Sequence, residues 1–85
     1  MKKVQLKESI KRESGDAIKD LCLRKIVTGD LRGLKLLDIL QIDVNTMRTL
    51  LVRIAQPTLT DEEFNQLTPG DLTKISEVVA TFFTD

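Results

Sequence analysis

The sequence has no histidine, tryptophan or tyrosine, and it has one cysteine among its 85 residues. Histidine is the commonest general base and the commonest metal ligand, so its absence removes the usual centre of both kinds of site. Cys22 has no second cysteine to pair with, which excludes an intramolecular disulfide. No serine, cysteine or carboxylate lies in a nucleophile or metal-binding motif. The sequence therefore predicts no enzyme activity, no catalytic residue, no metal and no cofactor.

An excess of charge of either sign is also missing, because 13 Lys and Arg residues balance 13 Asp and Glu residues. A nucleic-acid-binding domain usually carries a positive patch, and a helix that binds a membrane surface carries a basic face. The segment Met1–Glu8 lacks the apolar run of a signal peptide, and no stretch approaches the ~20 apolar residues of a membrane span. We therefore expect a cytosolic protein whose partners are proteins, with no nucleic acid and no membrane.

The length of the chain predicts one domain over residues 1–85. A chain of this size buries only ~60–65% of its unfolded surface when it folds. The core is therefore expected to be modest, and self-association or a bound partner would stabilise it.

The first third of the chain has the pattern of a β-hairpin, predicted over residues 1–27. Val4, Leu6 and Ile10 have strand spacing, and Ser14-Gly15 is a turn signal. A second apolar stretch, residues 18–27, supplies the second strand, although the length of the loop leaves the register open. An isolated hairpin is marginally stable in water, so this one is expected to pack on helices or to pair with the sheet of another chain.

Residues 28–85 carry four helix-start signals. Thr28 is placed to cap a first helix, Asp43 a second, and Thr60 and Thr68 begin two more, the last with Pro69 at its first position. The sequence therefore predicts an α+β fold in which an N-terminal antiparallel β-hairpin is followed by three to four helices.

Two of the predicted helices have more apolar surface than one core requires. In the helix predicted after Thr28, which continues to Leu40, one apolar stripe consists of Leu31, Leu34 and Leu37. A second side consists of Leu36, Ile39 and Leu40. A helix with two apolar sides is normally buried on both, but one side can instead contact a second subunit or a client protein.

The last helix has a central apolar stripe made of Leu72, Ile75, Val79 and Phe82. Val78 and Phe83 lie at the edges of this stripe, where they either complete the core or contact a partner. Together with the second side of the earlier helix, they form the candidate partner-binding set: Leu36, Ile39, Leu40, Val78 and Phe83.

Two motifs and their order link the sequence to a known family. The run Leu21-x-Leu23-Arg24 is followed by Asp30-Leu31-Arg32, and later Leu67 precedes Asp71-Leu72 and a helix that ends in Phe82-Phe83. In this order, spacing and total length, the chain resembles the phage tail assembly chaperones of the protein E type, found in Mu-like and related contractile-tailed bacteriophages.

The resemblance implies a non-enzymatic role in the cytoplasm of a bacterial host. Chaperones of this family coat the tape measure protein, a long helical and apolar protein, before the tail tube polymerises around it. The resemblance also implies a homo-oligomer and a longer form of the protein made by ribosomal frameshifting as a second partner.

A DNA-binding regulator from a prophage is the alternative interpretation. Residues 43–85 could form a helix-turn-helix, with the helix from Leu72 onward as the recognition helix. That helix carries Lys74 as its one basic residue, beside Glu77 and Asp85. It is poorly suited to a groove lined by phosphates, so the sequence favours the chaperone.

Overall fold

The computed structural model describes residues 2–84, which form an α+β fold with an N-terminal antiparallel hairpin, as predicted. Strand β1 pairs with β2, and a short β3 extends the sheet in the order β1-β2-β3. In chain order the elements are β1 (Lys2–Lys11), β2 (Ala17–Leu23), a 3-10 helix (Thr28–Leu31), α1 (Leu36–Leu40), α2 (Val44–Ile54), β3 (Ala55–Gln56), α3 (Asp61–Asn65) and α4 (Pro69–Phe82).

The hairpin contains a large bulge. Gln5 pairs with Asp20 and Ile10 pairs with Ile18, so residues 6–9 of β1 stand opposite the single residue Lys19 of β2. Extra residues in a bulge leave backbone groups without partners on the facing strand. Some of these groups must therefore find partners outside the sheet.

Side chains from α3 and α4 supply those partners along β1. The carboxylate of Asp71 accepts hydrogen bonds from the backbone N–H groups of Lys7 (2.9 Å) and Glu8 (3.2 Å). The amide of Gln66 accepts from the N–H of Lys11 and donates to its carbonyl, both at 2.8 Å, as a neighbouring strand would. These hydrogen bonds from side chains to the backbone of β1 hold the C-terminal helices against the sheet.

The predicted continuous helix from Thr28 to Leu40 is wrong. Val27, and not Thr28, precedes the 3-10 helix, and the side chain of Asp30 accepts a 3.0 Å hydrogen bond from the N–H of Val27. Gly33 then adopts a positive φ of 76°, a conformation that glycine reaches without steric cost. This turn ends the first segment, and the chain starts again as the one-turn helix α1.

Local capping chemistry places the other helices where the sequence predicts them. The side chains of Asp43, Thr60 and Thr68 each accept a hydrogen bond from a backbone N–H in the first turn of α2, α3 and α4. Leu59 and Phe64 flank the start of α3 and are both buried, as expected for a hydrophobic staple. These caps satisfy N–H groups that a helix start leaves without intrahelical partners.

The core lies between the sheet and the helices and includes residues from every part of the described chain. Its members with no measurable exposure are Ile10, Leu21, Leu23, Met47, Leu50 and Ile75. On α4, Ile75 and Val79 are buried while Leu72 and Phe82 are half-buried, so the predicted stripe faces the core.

Candidate functional site

A groove of about 290 Å³ lies between α1 and the C-terminal half of α4. Its lining is mostly apolar and includes one charged residue: Ile39, Leu40, Ile42, Thr73, Ser76, Glu77, Val79, Ala80 and Phe83. The α4 side is built from small residues such as Ala80 and Ser76, and the opposite side from the larger Leu40 and Ile42. The arrangement suits the reception of apolar side chains.

Large apolar side chains stand exposed around this groove. On α1, Leu36 is 54% exposed, Leu37 62% and Leu40 66%, and Phe83 at the end of α4 is 38% exposed. We refer to Leu36, Leu37, Leu40, Ile42 and Phe83 as the apolar surface. The largest exposed apolar patch on a monomer is often the one with which it contacts other molecules.

Backbone geometry contributes to the groove at Ile42, which has a φ of +57°. Ile42 follows the end of α1 and donates its N–H to the carbonyl of Ile39 at 3.1 Å. Glycine is the usual residue for this left-handed position after a helix, and a β-branched residue there is strained. The strained position keeps a large apolar side chain in the wall of the groove.

Charged residues away from the groove have structural partners. The guanidinium of Arg24 donates to Asp30 through both terminal nitrogens, one of them at 2.8 Å, and this pair lowers the pKa of Asp30 to about 2. Arg53 donates to the carbonyls of Asp30 and Arg32 at 2.8 and 2.7 Å. The corner between β2 and the 3-10 helix is therefore held by Arg24 and Asp30, while Arg32 contributes its backbone carbonyl.

A polar cleft of about 780 Å³ lies between the hairpin turn and α3, and its central charges are paired. Arg12 donates to Glu63 at 2.8 Å, and the N–H of Thr60 donates to Glu63 at 2.9 Å. The hydrogen bond from Thr60, followed by the contact with Arg12, lowers the pKa of Glu63 against the effect of its burial. Glu63 thus joins a helix cap to the hairpin.

The described residues hold neither a cluster of metal ligands nor a membrane-spanning helix. Between residues 2 and 84, no group of three or more Cys, Asp and Glu side chains is arranged to hold a metal ion. None of the helices in this part of the chain is long and apolar enough to cross a membrane.

Comparison with protein families gives a match that spans nearly the whole sequence. Residues 3–84 match the model of the phage tail assembly chaperone proteins described as "E, or 41 or 14". The chain belongs to this family. No curated protein and no solved structure matches the chaperone. The family predicted from the two motifs and their order is confirmed.

The five residues predicted to bind a partner lie in different environments in the structure. Leu40 and Phe83 meet at the groove, and Leu36 lies one turn before Leu40 with more than half of its surface exposed. Ile39 lines the bottom of the groove but is only 4% exposed, so it belongs to the core of the chaperone. Val78 is half-buried against the core and does not line the groove.

Sequence analysis missed two residues of the apolar surface. Leu37 was assigned to the other side of a continuous helix, and the break at Gly33 removes the basis of that assignment. Ile42 lies between two helices, where periodicity carries no information. The one signal in the sequence is that Ile42 directly precedes Asp43, the N-cap residue of α2. This position places Ile42 in the connection before that helix.

Proposed function

We propose that this chaperone binds the tape measure protein and keeps it soluble during assembly of a contractile tail, through the apolar surface. The observation that carries the proposal is the exposure of Leu36, Leu37 and Leu40 beside an apolar groove. A helical, apolar client presents the same kind of surface as a core helix. The chaperone would cover the apolar surface of the client in place of water until the tail tube polymerises around the client.

The exposed leucines favour a modest affinity for each copy. Complete burial of a leucine side chain contributes about 1.5–3 kcal/mol, and these side chains are already partly buried. Binding also costs translational and rotational freedom, which consumes much of this gain. Weak single contacts suit a coat of many copies on one long client, because each copy can leave as the tube advances.

The remaining partners follow from the same role. We infer a homo-oligomeric coat, a longer frameshifted form of the chaperone as a second component, and action in the cytoplasm of the host bacterium. The proposed role is non-enzymatic, because shielding an apolar client needs no bond to form or break.

The DNA-binding alternative has no specific observation in its favour. On α4, Lys74 is exposed together with Glu77, so the face expected to contact phosphates carries charges of both signs. The family match favours assembly over regulation. A mobility-shift assay with DNA on the same preparation tests this alternative directly.

Co-expression with fragments of the tape measure protein tests the proposal. We expect the wild-type chaperone to increase the soluble fraction of a fragment and to co-elute with it. Leu40→Lys places a charge at the groove, at the C-terminal end of α1, where a cation suits the helix dipole. Val52→Lys is the matched control, because Val52 is 49% exposed on α2 and does not line the groove.

The two variants give opposite expectations. Leu40→Lys should fold normally and lose most of its effect on the solubility of the fragment, whereas Val52→Lys should behave as wild type. If no fragment of the tape measure protein co-elutes with the wild-type chaperone, the proposed client is wrong. If both variants keep full activity, the client binds elsewhere.

A further inference from the structure

The apolar surface contains both a groove and side chains that fit a groove. Leu40 lines the groove, whereas Leu36 and Leu37, on the same helical turn, do not line it and are more than half exposed. An interface between two identical chains related by a two-fold axis must be self-complementary, with each chain presenting both halves of every contact. A groove beside protruding leucines meets this condition.

We propose that a second copy of the chain occupies the groove when no client is bound, by inserting its Leu36 and Leu37. The resulting two-fold dimer buries the apolar surface of both copies. Because the client proposed above uses the same surface, this inference rests in part on the proposed function: a client segment binds only after the dimer opens.

The volume of the groove fits this occupant. An apolar cavity of about 150 Å³ accepts one benzene-sized group, which is close to the size of a leucine side chain. The groove measures about 290 Å³. It therefore has room for about two leucine side chains, and Leu36 and Leu37 are the two that stand beside it.

The area of the apolar surface also matches a dimer. The five residues are between 38% and 66% exposed, which amounts to an exposed apolar area of roughly a few hundred Å². A standard interface buries about 800 Å² on each partner, and about 65% of it is apolar in homodimers, which is roughly 500 Å². One copy of the chain presents what one half of such an interface requires.

Charge does not oppose the contact. Glu77 is the one charged residue in the groove lining, and Lys74 precedes it by one turn of α4. The surface therefore offers a second copy charges of both signs. The whole chain is neutral, so no long-range repulsion keeps two copies apart.

The inference gives the chaperone a way to stay soluble before it meets its client. Dimerisation hides the apolar surface at high concentration of the free protein. It also reduces the apparent affinity for the client, because only the open fraction of the chaperone binds. The apparent dissociation constant for the client should therefore increase with the total concentration of chaperone, because a larger fraction of the chaperone is then dimeric.

Sedimentation velocity of the full chain without client tests the dimer. We expect the wild-type protein to form dimers in a concentration-dependent way. The double substitution Leu36→Lys with Leu37→Lys removes the inserted side chains, and Ala80→Phe fills the groove. Each variant alone should raise the dimer dissociation constant at least tenfold, while Val52→Lys should leave it unchanged.

Mixing the two variants separates insertion into the groove from unspecific association. The leucine variant keeps an open groove and Ala80→Phe keeps its leucines, so a mixed dimer retains one of the two contacts. The mixture should therefore form more dimer than either variant alone. A wild-type chain that stays monomeric up to millimolar concentration, or a mixture without partial recovery, overturns the inference.

The result is distinguishable from a failure of the proposed function. A dimer that depends on Leu36 and Leu37, in a chain that binds no tape measure fragment, supports the self-association and rejects the client. A monomeric wild-type chain that solubilises the fragment supports the client and rejects the self-association. When both proposals hold, adding the fragment should convert dimers of the chaperone into complexes with one copy of the chaperone at each binding site on the fragment.

Discussion

The carboxylate of Asp71 accepts a 2.9 Å hydrogen bond from the backbone N–H of Lys7, 64 residues earlier in the chain. The same carboxylate accepts from the N–H of Glu8, and the N–H of Asp71 donates to the side chain of Thr68. One buried residue thus joins the first turn of α4 to the bulge of β1. Its hydrogen bonds connect the N-terminal strand to the C-terminal helix.

Asp71→Ala should lower the free energy of unfolding by roughly 2–4 kcal/mol, because it leaves two N–H groups of the bulge without an acceptor. Asp71→Asn keeps one acceptor oxygen and should cost about half as much. Urea unfolding followed by circular dichroism measures both changes. An unchanged midpoint for Asp71→Ala would show that water or another side chain satisfies the bulge equally well.

Stability should fall in acid. Hydrogen bonds from Arg24 and Val27 lower the pKa of Asp30 to about 2, and the pKa of Glu63 and of Asp71 is also lowered, in Asp71 despite its burial. Because each pKa lies below its value in the unfolded chain, near 4, the stabilisation is fully present above about pH 4 and decreases as the pH falls below it. The contribution of Asp30 is lost as the pH falls through about 2.

Asp30→Asn tests the share of this acid sensitivity that depends on the pair with Arg24. The variant should be less stable than wild type at neutral pH, and its urea midpoint should change less between about pH 5 and pH 2. The measurement is a series of urea titrations across that range. Parallel pH profiles for the two proteins would assign the acid sensitivity to other carboxylates.

Phe83→Ala should leave folding almost intact and weaken contacts with partners. Phe83 is 38% exposed and lies after the last turn of α4, so its truncation removes little core. Phe64→Ala is the matched control, because Phe64 is 5% exposed and truncation of a buried phenylalanine costs about 3–5 kcal/mol. Thermal unfolding of both variants, with the solubility of a tape measure fragment for Phe83→Ala, checks the contrast. Severe unfolding of Phe83→Ala would place Phe83 in the core.

Ile42→Gly should affect binding more than folding. Relief of the left-handed strain contributes about 1–2 kcal/mol, and the loss of a partly buried side chain costs a similar amount. The melting temperature should therefore change little, while the groove loses part of its wall. A large drop in melting temperature with normal client binding would mean that Ile42 belongs to the core and not to the site.

Local signals predict much of the fold. The caps at Asp43, Thr60 and Thr68 lie in the sequence directly beside the N–H groups that they satisfy, so the starts of α2, α3 and α4 are visible without tertiary information. The break at Gly33 is not, because an isolated glycine inside an apolar repeat is also compatible with a helix. Strand β3 has two residues, too few for any period.

The candidate site is less accessible from the sequence, because tertiary packing brings its two walls together. Leu40 and Phe83 both belong to the predicted partner-binding set, but they were placed there from separate helices and for separate reasons. Their meeting at one groove depends on the short α1, whose start is set by the turn at Gly33. Ile39, from the same predicted set, lies in the groove lining but is only 4% exposed.

The hydrogen bonds between Gln66 and Lys11, and between Asp71 and the bulge, also affect what the outer side of β1 can recruit. An open strand edge is a template on which other extended chains can add, and such addition starts amyloid-like fibres. Along β1, the backbone groups of Lys7, Glu8 and Lys11 are already occupied by side chains. These side chains therefore hinder the addition of another extended chain at this edge, which keeps the chaperone from seeding fibres there.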